Sequence, residues 1–347
     1  MSMKISIGLN LQQGPWGGGN QFGNVLTEYL RSKGHEVFFD LKESNLDIIL
    51  LCEPRKSTKS CAFNQKEILR YLLTKNKNAL VVHRINECDE RKGTTTVNNQ
   101  IGNANIVADH TVFISSWLKE LYRTQEIRTE HCSVIMNGAD SKIFNNTSYS
   151  TWNKDTPLKV VTHHWGGNWL KGFDVYEALD KQLNDKNTRK KFEFTFIGNI
   201  PKGFSFKNSR YITPLGGLEL SKELQRHHVY LTASQFEPAG MHHIEGAMCG
   251  LPLLYRNTGG AIPEYCRNFG IEFNEQNFFE KLHEMAEMYD YYTVRMKDYP
   301  YTAEKMCHEY LELFNYMNKN REEFLHARIW QKKPLWLMKN LLIGDII

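Results

Sequence analysis

The chain has 347 residues, 41% of them hydrophobic, which is enough for two domains with their own cores or for one large domain. Its 43 basic and 39 acidic residues nearly balance, so the charge gives no case for a nucleic-acid substrate. No apolar run reaches the roughly 18 residues of a membrane span, no signal peptide opens the chain, and seven scattered cysteines are typical of a reducing compartment, so we expect a cytoplasmic protein.

Strand and helix patterns alternate along the first part of the chain, which predicts a parallel α/β sheet. A glycine-rich turn over 12–20 separates the first strand from a helix that ends at Gly34. A second helix is predicted around 68–73, where apolar residues fall on one face. The predicted strands are short apolar runs at 4–11, 36–41, 46–51, 80–85, 111–115 and 132–136.

The polar segment 145–157 has no periodicity and is the best candidate for a linker. A second α/β series follows it, with helices near 173–183 and 219–226. Its predicted strands are 158–163, 192–197, 229–233 and 252–256. The tail is helical, and one face of its first predicted helix carries Met306, Tyr310, Leu313, Phe314 and Met317.

The stretch from Ser234 to Tyr265 carries the strongest chemical signal. A helix is predicted from about His242 to Gly250, and Pro238 lies where a helix favours its first proline. The free backbone N–H groups of Gly240 and Met241 would form a phosphate site at the start of that helix. Glu237 and Glu245 repel phosphate but accept hydrogen bonds from hydroxyls. Phosphate together with several hydroxyls describes a nucleotide sugar.

This stretch resembles the E-x7-E signature of retaining GT-B glycosyltransferases of family four (glycosyl transferases group 1). The resemblance rests on the two acids together with EPAG at 237–240, CGLP at 249–252 and TGG-x3-EY at 258–265. It implies an N-terminal Rossmann-like acceptor domain over 1–150 and a C-terminal Rossmann-like donor domain over 151–320. A C-terminal helix within 321–347 would cross back to the N-terminal domain.

The segment 162–174 looks like the family's strand-loop motif, in which Lys171 matches the lysine that holds the donor diphosphate. The motif arginine has no clear match, and we expect His164 or Asn168 to supply hydrogen bonds in its place. The resemblance also implies that Glu245 binds the ribose hydroxyls and Glu237 binds the transferred sugar. Gly198, at the end of a predicted strand, would border the donor.

Two further features of the first part of the chain are similar to donor-site features of the family. Gly17, Gly18 and Gly19 lie in the loop after the first strand, where glycine lets the backbone approach a ligand closely. Trp16 is a candidate sugar-stacking surface in the same loop. His83 is predicted at the end of a central strand, where ligand sites gather in open α/β sheets, and is therefore a third candidate catalytic residue beside Lys171 and Glu237.

We therefore expect a glycosyltransferase that moves a sugar from a nucleotide-diphosphate sugar to an acceptor hydroxyl of a glycan, a lipid-linked molecule or a small molecule. The chain has no D-x-D triplet, so we expect no metal and no cofactor beyond the donor substrate. The alternatives are a GT-B epimerase or hydrolase, and a catalytically weak GT-B protein that only binds carbohydrate or nucleotide sugar. A basic, tryptophan-bearing face over 322–347 either packs on the N-terminal domain or contacts an anionic membrane.

Overall fold

The computed structural model describes residues 2–12, 17–125 and 131–342. The chain divides into two compact units, and the described residues of the first are 2–12, 19–125, 131–136 and 304–342. The second unit takes 17–18 and 137–303. The chain thus changes units after Met136 and again after Ala303, whereas the functional domain boundaries at 150 and 320 stay a prediction.

The described part of the first unit is built on a six-stranded sheet in which all neighbouring strands are parallel. The strand order is β2-β1-β3-β4-β5-β6. The strands are β1 (Lys4–Ile7), β2 (Glu36–Phe38), β3 (Ile48–Leu51), β4 (Leu80–Ile85), β5 (His110–Phe113) and β6 (Cys132–Val134). The helices that follow them are α1 (Gly18–Ser32), α2 (Gln65–Thr74), α3 (Asp89–Lys92), α4 (Val97–Asn105) and α5 (Ser116–Arg123).

The second unit carries another six-stranded parallel sheet among its described residues, in the order β12-β11-β10-β7-β8-β9. Its strands are β7 (Leu158–His164), β8 (Phe192–Gly198), β9 (Arg210–Ile212), β10 (Val229–Thr232), β11 (Leu253–Arg256) and β12 (Gly270–Phe273). Its helices are α6 (Phe173–Gln182), α7 (Lys186–Lys191), α8 (Gly217–Leu224), α9 (Met241–Met248), α10 (Ile262–Cys266), α11 (Phe278–Glu287) and α12 (Tyr289–Arg295).

Both sheets are covered by helices on two faces, which explains why their central strands are apolar throughout. All six positions of β4 are buried, as are all four of β10. In the first unit, separate apolar clusters lie on the two faces: Ile5 and Ile7 belong to one, while Ile49 and Leu51 belong to the other. The predicted α/β class with two Rossmann-like domains is confirmed.

The C-terminal helices α13 (Ala303–Lys319), α14 (Arg321–His326) and α15 (Pro334–Leu342) return to the first unit. The predicted apolar face of the first of them is confirmed, because Met306, Tyr310, Phe314 and Met317 are all buried in the cluster that contains Phe22. Trp330 and Trp336 are buried in the cluster on the other face of the sheet. No helix in the described part of the chain is long and apolar enough to cross a membrane.

The return segment is fixed by a buried ion pair. The Arg328 guanidinium donates to both carboxylate oxygens of Asp109, at 2.9 Å each. It also donates to the backbone carbonyl oxygen of Ala79 at 2.6 Å, directly before β4. Both charged side chains are almost fully excluded from solvent, so the pair ties the segment before α15 to the first sheet.

Candidate functional site

Lys171 and Glu237 meet at the carboxyl-terminal edge of the second sheet. Lys171 closes a short 3-10 turn, Trp169–Lys171, that follows the end of β7, and Glu237 lies in the loop that follows β10. The Lys171 ammonium group donates a hydrogen bond to the Glu237 carboxylate. The two side chains are only 12% and 5% exposed. Two of the predicted site residues, far apart in sequence, therefore form one partly buried ion pair where open α/β sheets bind ligands.

The backbone of Glu237 is held by the glycine pair that precedes α10. Glu237 forms an isolated parallel bridge with Gly260, and its carbonyl oxygen accepts a hydrogen bond of 2.8 Å from the Ala261 N–H. A Cβ on Gly260 would lie 2.5 Å from the Glu237 nitrogen, and the residue has φ +98°. Only glycine fits such a close approach in the left-handed region, so the TGG segment positions the acid.

Glu245 lies on α9, with its side chain buried. One carboxylate oxygen accepts a hydrogen bond of 2.7 Å from His163 Nε2. The other, Oε1, is buried and has no hydrogen-bond partner among the described residues. The helix begins at Met241 after the cap residue Gly240, which confirms the predicted start near His242. Pro238 precedes the helix and does not occupy its first position. Pro238 instead lies in the loop beside Glu237.

Four histidine rings, two from the end of β7 and two from α9, cluster beside Glu245. The ring centroids of His164 and His242 are 4.5 Å apart, those of His242 and His243 are 4.9 Å apart, and those of His163 and His242 are 6.4 Å apart. Burial, with the nearby Lys171 charge contributing, lowers the pKa of His164 and of His242 well below its ordinary value. These two rings are therefore neutral at neutral pH.

His243 is the most isolated of the four. It is fully buried, and neither ring nitrogen has a hydrogen-bond partner among the described residues. Burial lowers its pKa to about 3. The buried hydroxyls of Ser234 and Thr258 also have no hydrogen-bond partner in the described part of the chain. Unpaired buried polar groups are rare in folded proteins, and together with Oε1 of Glu245 these fall within one stretch of 25 residues, 234–258.

Sequence reasoning missed His242 and His243. Their signal was present, because two adjacent histidines stand between the two acids of the E-x7-E pattern. A histidine pair on a helix carries no chemical assignment by itself, and only the fold reveals that His163 and His164, at the end of β7, pack against it.

The two residues expected to replace the motif arginine occupy different environments. His164 is buried, and its Nε2 lies 2.8 Å from the Tyr176 hydroxyl. Asn168 is exposed and precedes the 3-10 turn that carries Lys171. Gly198 ends β8 with φ +135°, and a Cβ there would lie 2.0 Å from the carbonyl oxygen of His164. Glycine is therefore required for β7 and β8 to end side by side.

Arg256 is a buried cation at the carboxyl end of β11 that sequence reasoning did not single out. Its guanidinium forms ion pairs of 2.8 Å with Asp174 and 2.6 Å with Glu275. Two carboxylates already balance its charge, so we assign Arg256 the role of tying β11 to α6 rather than that of the missing arginine.

His83 lies within β4, two residues before the strand ends, so the prediction that it stands at the strand end is wrong. Its Nδ1 lies 3.1 Å from the side-chain nitrogen of Asn105, which also donates to the Thr111 hydroxyl at 2.8 Å. Burial lowers the pKa of His83 to about 3. These contacts describe a neutral histidine of the sheet interior, and its catalytic role stays a prediction.

The glycine-rich segment is shorter than predicted, because α1 already begins at Gly18. Gly18 and Gly19 are its first residues, and Gly17 directly precedes it. A Cβ on Gly19 would lie 3.9 Å from the side-chain nitrogen of Asn86, just after β4. The start of α1 and the end of β4 therefore adjoin in the first unit. Trp16 lies outside the described residues.

No cluster of three or more histidine, cysteine, aspartate or glutamate side chains that could hold a metal ion occurs in residues 2–12, 17–125 and 131–342. The four histidine rings contact one another, and His163 also bonds to Glu245. What the arrangement offers is one ammonium group, two carboxylates and several neutral hydrogen-bonding groups, a set that matches a ligand with both negative charge and hydroxyl groups.

Comparison with known proteins identifies the fold but not a family. No protein-family model matches the sequence, and no curated protein matches it. Solved structures do match. A glycosyltransferase from Rickettsia africae ESF-5 is similar with a TM-score of 0.67 at 14% identity, over 92% of this chain and 99% of that one.

Two further structures match over nearly their whole length. Sucrose-phosphate synthase from Thermosynechococcus elongatus has a TM-score of 0.63 at 11% identity, over 91% of this chain and 99% of that one. The catalytic domain of starch synthase IV from Arabidopsis thaliana, bound to ADP and acarbose, has a TM-score of 0.63 at 13% identity, over 92% and 100%. With its two parallel sheets, this chain has the GT-B fold.

Proposed function

We propose that this protein is a retaining, metal-independent glycosyltransferase that uses a nucleotide-diphosphate sugar. The observation that carries the proposal is the pairing of Lys171 with Glu237 at the carboxyl edge of the second sheet, with Glu245 on the helix that follows. The fold adds support, because a structure that shares it, the starch synthase domain, is bound to ADP and acarbose.

The diphosphate of the donor would bind Lys171 and the first N–H groups of α9. These groups have no partners within the helix, and the first turn of α9 contains no acidic residue. The positive end of the helix dipole and an ammonium group both favour an anion. A charge held in a water-poor site stabilises the diphosphate as it gains charge on leaving, which is the step that a metal ion would otherwise assist.

The two carboxylates would bind hydroxyl groups. Glu245 holds His163 with one oxygen and has the other, Oε1, to accept a ribose hydroxyl proton. Glu237 would accept hydroxyls of the transferred sugar while it remains paired with Lys171. Because that carboxylate is engaged by an ammonium group, we assign it a binding role and not that of a nucleophile.

Transfer would then proceed without a protein nucleophile. The bond from the anomeric carbon to the diphosphate oxygen breaks through an oxocarbenium-like state, and the bonding electrons stay with the diphosphate. The acceptor hydroxyl attacks the same face of the sugar, and its proton passes to the departing phosphate oxygen. The new glycosidic bond keeps the anomeric configuration of the donor.

The test starts with a thermal-shift screen of UDP-, GDP- and ADP-sugars against the purified chain. We expect one donor class to raise the melting temperature, and we expect Glu245→Ala to abolish that shift. Nucleotide release is then measured with and without glycan and lipid-linked acceptors. Release that rises with an acceptor supports transfer, whereas no binding by any donor class contradicts the proposal.

The absence of the motif arginine favours a second candidate, a GT-B protein that binds nucleotide sugar or carbohydrate with little turnover. Gly166, Gly167 and Asn168 occupy the region of that arginine. This candidate predicts a donor-dependent thermal shift without acceptor-dependent nucleotide release. An epimerase would instead interconvert the donor sugar in the absence of any acceptor.

A further inference from the structure

The helix α15 divides its side chains between the protein and the solvent. Trp336 is buried, and its indole N–H donates to the Asn103 side-chain oxygen at 2.9 Å. On the outer side, Leu335 is 81% exposed, Met338 is 55% exposed and Leu341 is 41% exposed. Spacings of three residues place these side chains on one face of the helix. An apolar stripe that no other described residue covers therefore runs along its outside.

Positive charge flanks this stripe. Lys332, Lys333 and Lys339 are all exposed, and the sequence from Ala327 to Leu342 contains no aspartate or glutamate. Arg328, also in this segment, is buried against Asp109 and adds nothing to the surface charge. We use the name outer α15 face for Leu335, Met338 and Leu341 together with the three exposed lysines.

The outer α15 face is carried by a firmly anchored helix. Trp336 and Leu337 pack on the apolar cluster that includes Leu69 and Leu72 of α2. The Asn340 side-chain oxygen accepts a hydrogen bond from the Gln65 side chain at the start of α2. On α2, Leu73 is also half exposed. The exposed apolar side chains are therefore not the core-facing side of α15, because that side is already packed on the first unit.

We propose that the outer α15 face docks the protein on an anionic lipid surface. Apolar side chains on one face of a helix with lysines beside them are the pattern of helices that lie in the membrane interface. Lysines near an anionic leaflet add attraction that decays within a Debye length. A stripe of three aliphatic side chains is small beside the surface that specific protein–protein interfaces bury, whereas lipid requires no matching shape.

The structure changes which residues carry this contact. The sequence alone predicted a basic, tryptophan-bearing face over 322–347, but Trp330 and Trp336 are both buried in the first unit. The contact passes instead to aliphatic side chains that no motif marks. The inference concerns binding to lipid only, and it stands or falls independently of the proposed glycosyl transfer.

The experiment is vesicle co-sedimentation of the full chain at low salt, with equal parts of phosphatidylglycerol and phosphatidylcholine or with phosphatidylcholine alone. We expect binding to the anionic vesicles that is at least tenfold stronger than to the neutral ones and that falls on addition of salt. Replacing Lys332, Lys333 and Lys339 by glutamine should weaken binding by about fivefold per lysine. The double variant Leu335→Glu/Met338→Glu should abolish it.

A matched control uses exposed apolar residues that lie on other helices, outside the outer α15 face. Leu218 and Val294 in the second unit are 58% and 64% exposed, and the double variant Leu218→Glu/Val294→Glu should bind anionic vesicles like the wild type. Circular dichroism and thermal melting confirm that each variant folds. Equal binding to neutral vesicles, binding unaffected by the α15 variants, or no vesicle binding would each overturn the proposal. The proposal would also be overturned if light scattering showed a dimer that Leu335→Glu/Met338→Glu converts to a monomer while no vesicle binding is detected.

Discussion

The ion pair between Lys171 and Glu237 allows the structural role of a residue to be separated from its functional role. Lys171→Ala leaves the Glu237 carboxylate, 5% exposed, without its ammonium partner. Breaking one side of a buried pair costs about 3–5 kcal/mol of stability, because the remaining charge is uncompensated. The same variant should lose about 2–4 kcal/mol in kcat/KM, the scale of one electrostatic contact made to the transition state.

A second variant distinguishes these two losses. Lys171→Ala/Glu237→Gln removes both charges, so we expect most of the lost free energy of unfolding to return. We expect donor binding and turnover to stay low, because the cation for the diphosphate is still missing. The surface pair of Lys181 with Glu177 on α6 serves as the control, and Lys181→Ala should cost less than about 1 kcal/mol.

The measurements are urea unfolding followed by circular dichroism and donor binding followed by calorimetry. Recovery of donor affinity in the double variant would refute the reasoning, because Lys171 would then matter only as the partner of a buried acid. Unchanged stability in Lys171→Ala would refute the structural claim that Lys171 and Glu237 form a buried, interacting ion pair.

Three further predictions follow from buried groups. Glu245→Gln should weaken donor binding about tenfold or more in calorimetry while the fold is kept, since an amide nitrogen cannot accept a ribose hydroxyl proton; unchanged affinity would contradict the ribose assignment. The pKa of His243 is about 3 in the folded chain and 6.5 in the unfolded chain, so below pH 6.5 the unfolded state binds more protons. Lowering the pH from 7 to 5 should therefore cost the wild type about 2 kcal/mol of stability through this residue. In urea titrations, the free energy of unfolding of His243→Leu should fall by about 2 kcal/mol less than that of the wild type over this range, and equal losses would contradict the burial of His243 as a neutral ring. Arg328→Ala should lower the free energy of unfolding by about 3–5 kcal/mol because it removes the buried cation that pairs with Asp109. A change below about 1 kcal/mol in urea unfolding would show that the pair does not anchor the segment before α15.

Sequence reasoning recovered ten of the twelve strands described here, and the two that it missed are edge strands. β9 has only three residues, all at least partly exposed, and β12 opens on a glycine with no apolar run before it. Edge strands are covered on fewer sides, so their sequences lack the continuous apolar run that marks a buried parallel strand. The start of α1 was placed too late because its first residues are glycines, which predict a turn.

Site residues that belong to a sequence motif could be predicted, whereas residues brought to the site only by tertiary packing could not. Lys171 and Glu237 were identified together, and the structure pairs them. His83 was ranked as a site residue because its strand was correctly placed in the centre of the sheet, but strand periodicity could not tell which face its side chain would take. The histidines at 242 and 243 lacked any assignment until the end of β7 came beside them.

Glu237 lies next to Lys171, the ammonium group assigned to the diphosphate, although a carboxylate repels that ligand. The burial of the pair explains this arrangement. An ammonium group removed from water without a counter-charge tends to lose its proton, and neutral lysine could not bind a diphosphate. In the proposed site, the hydrogen bond to Glu237 would hold the Lys171 ammonium group in place before any donor arrives, which is the preorganisation that makes an electrostatic contact effective in a transition state. Burial holds the pKa of His164 and of His242 well below its ordinary value, so these nearby rings add no charge to the site. The repulsion between Glu237 and the diphosphate is offset if the carboxylate also accepts hydrogen bonds from sugar hydroxyls. Glu237 and Lys171 would then together bind a ligand that carries both a diphosphate and hydroxyl groups.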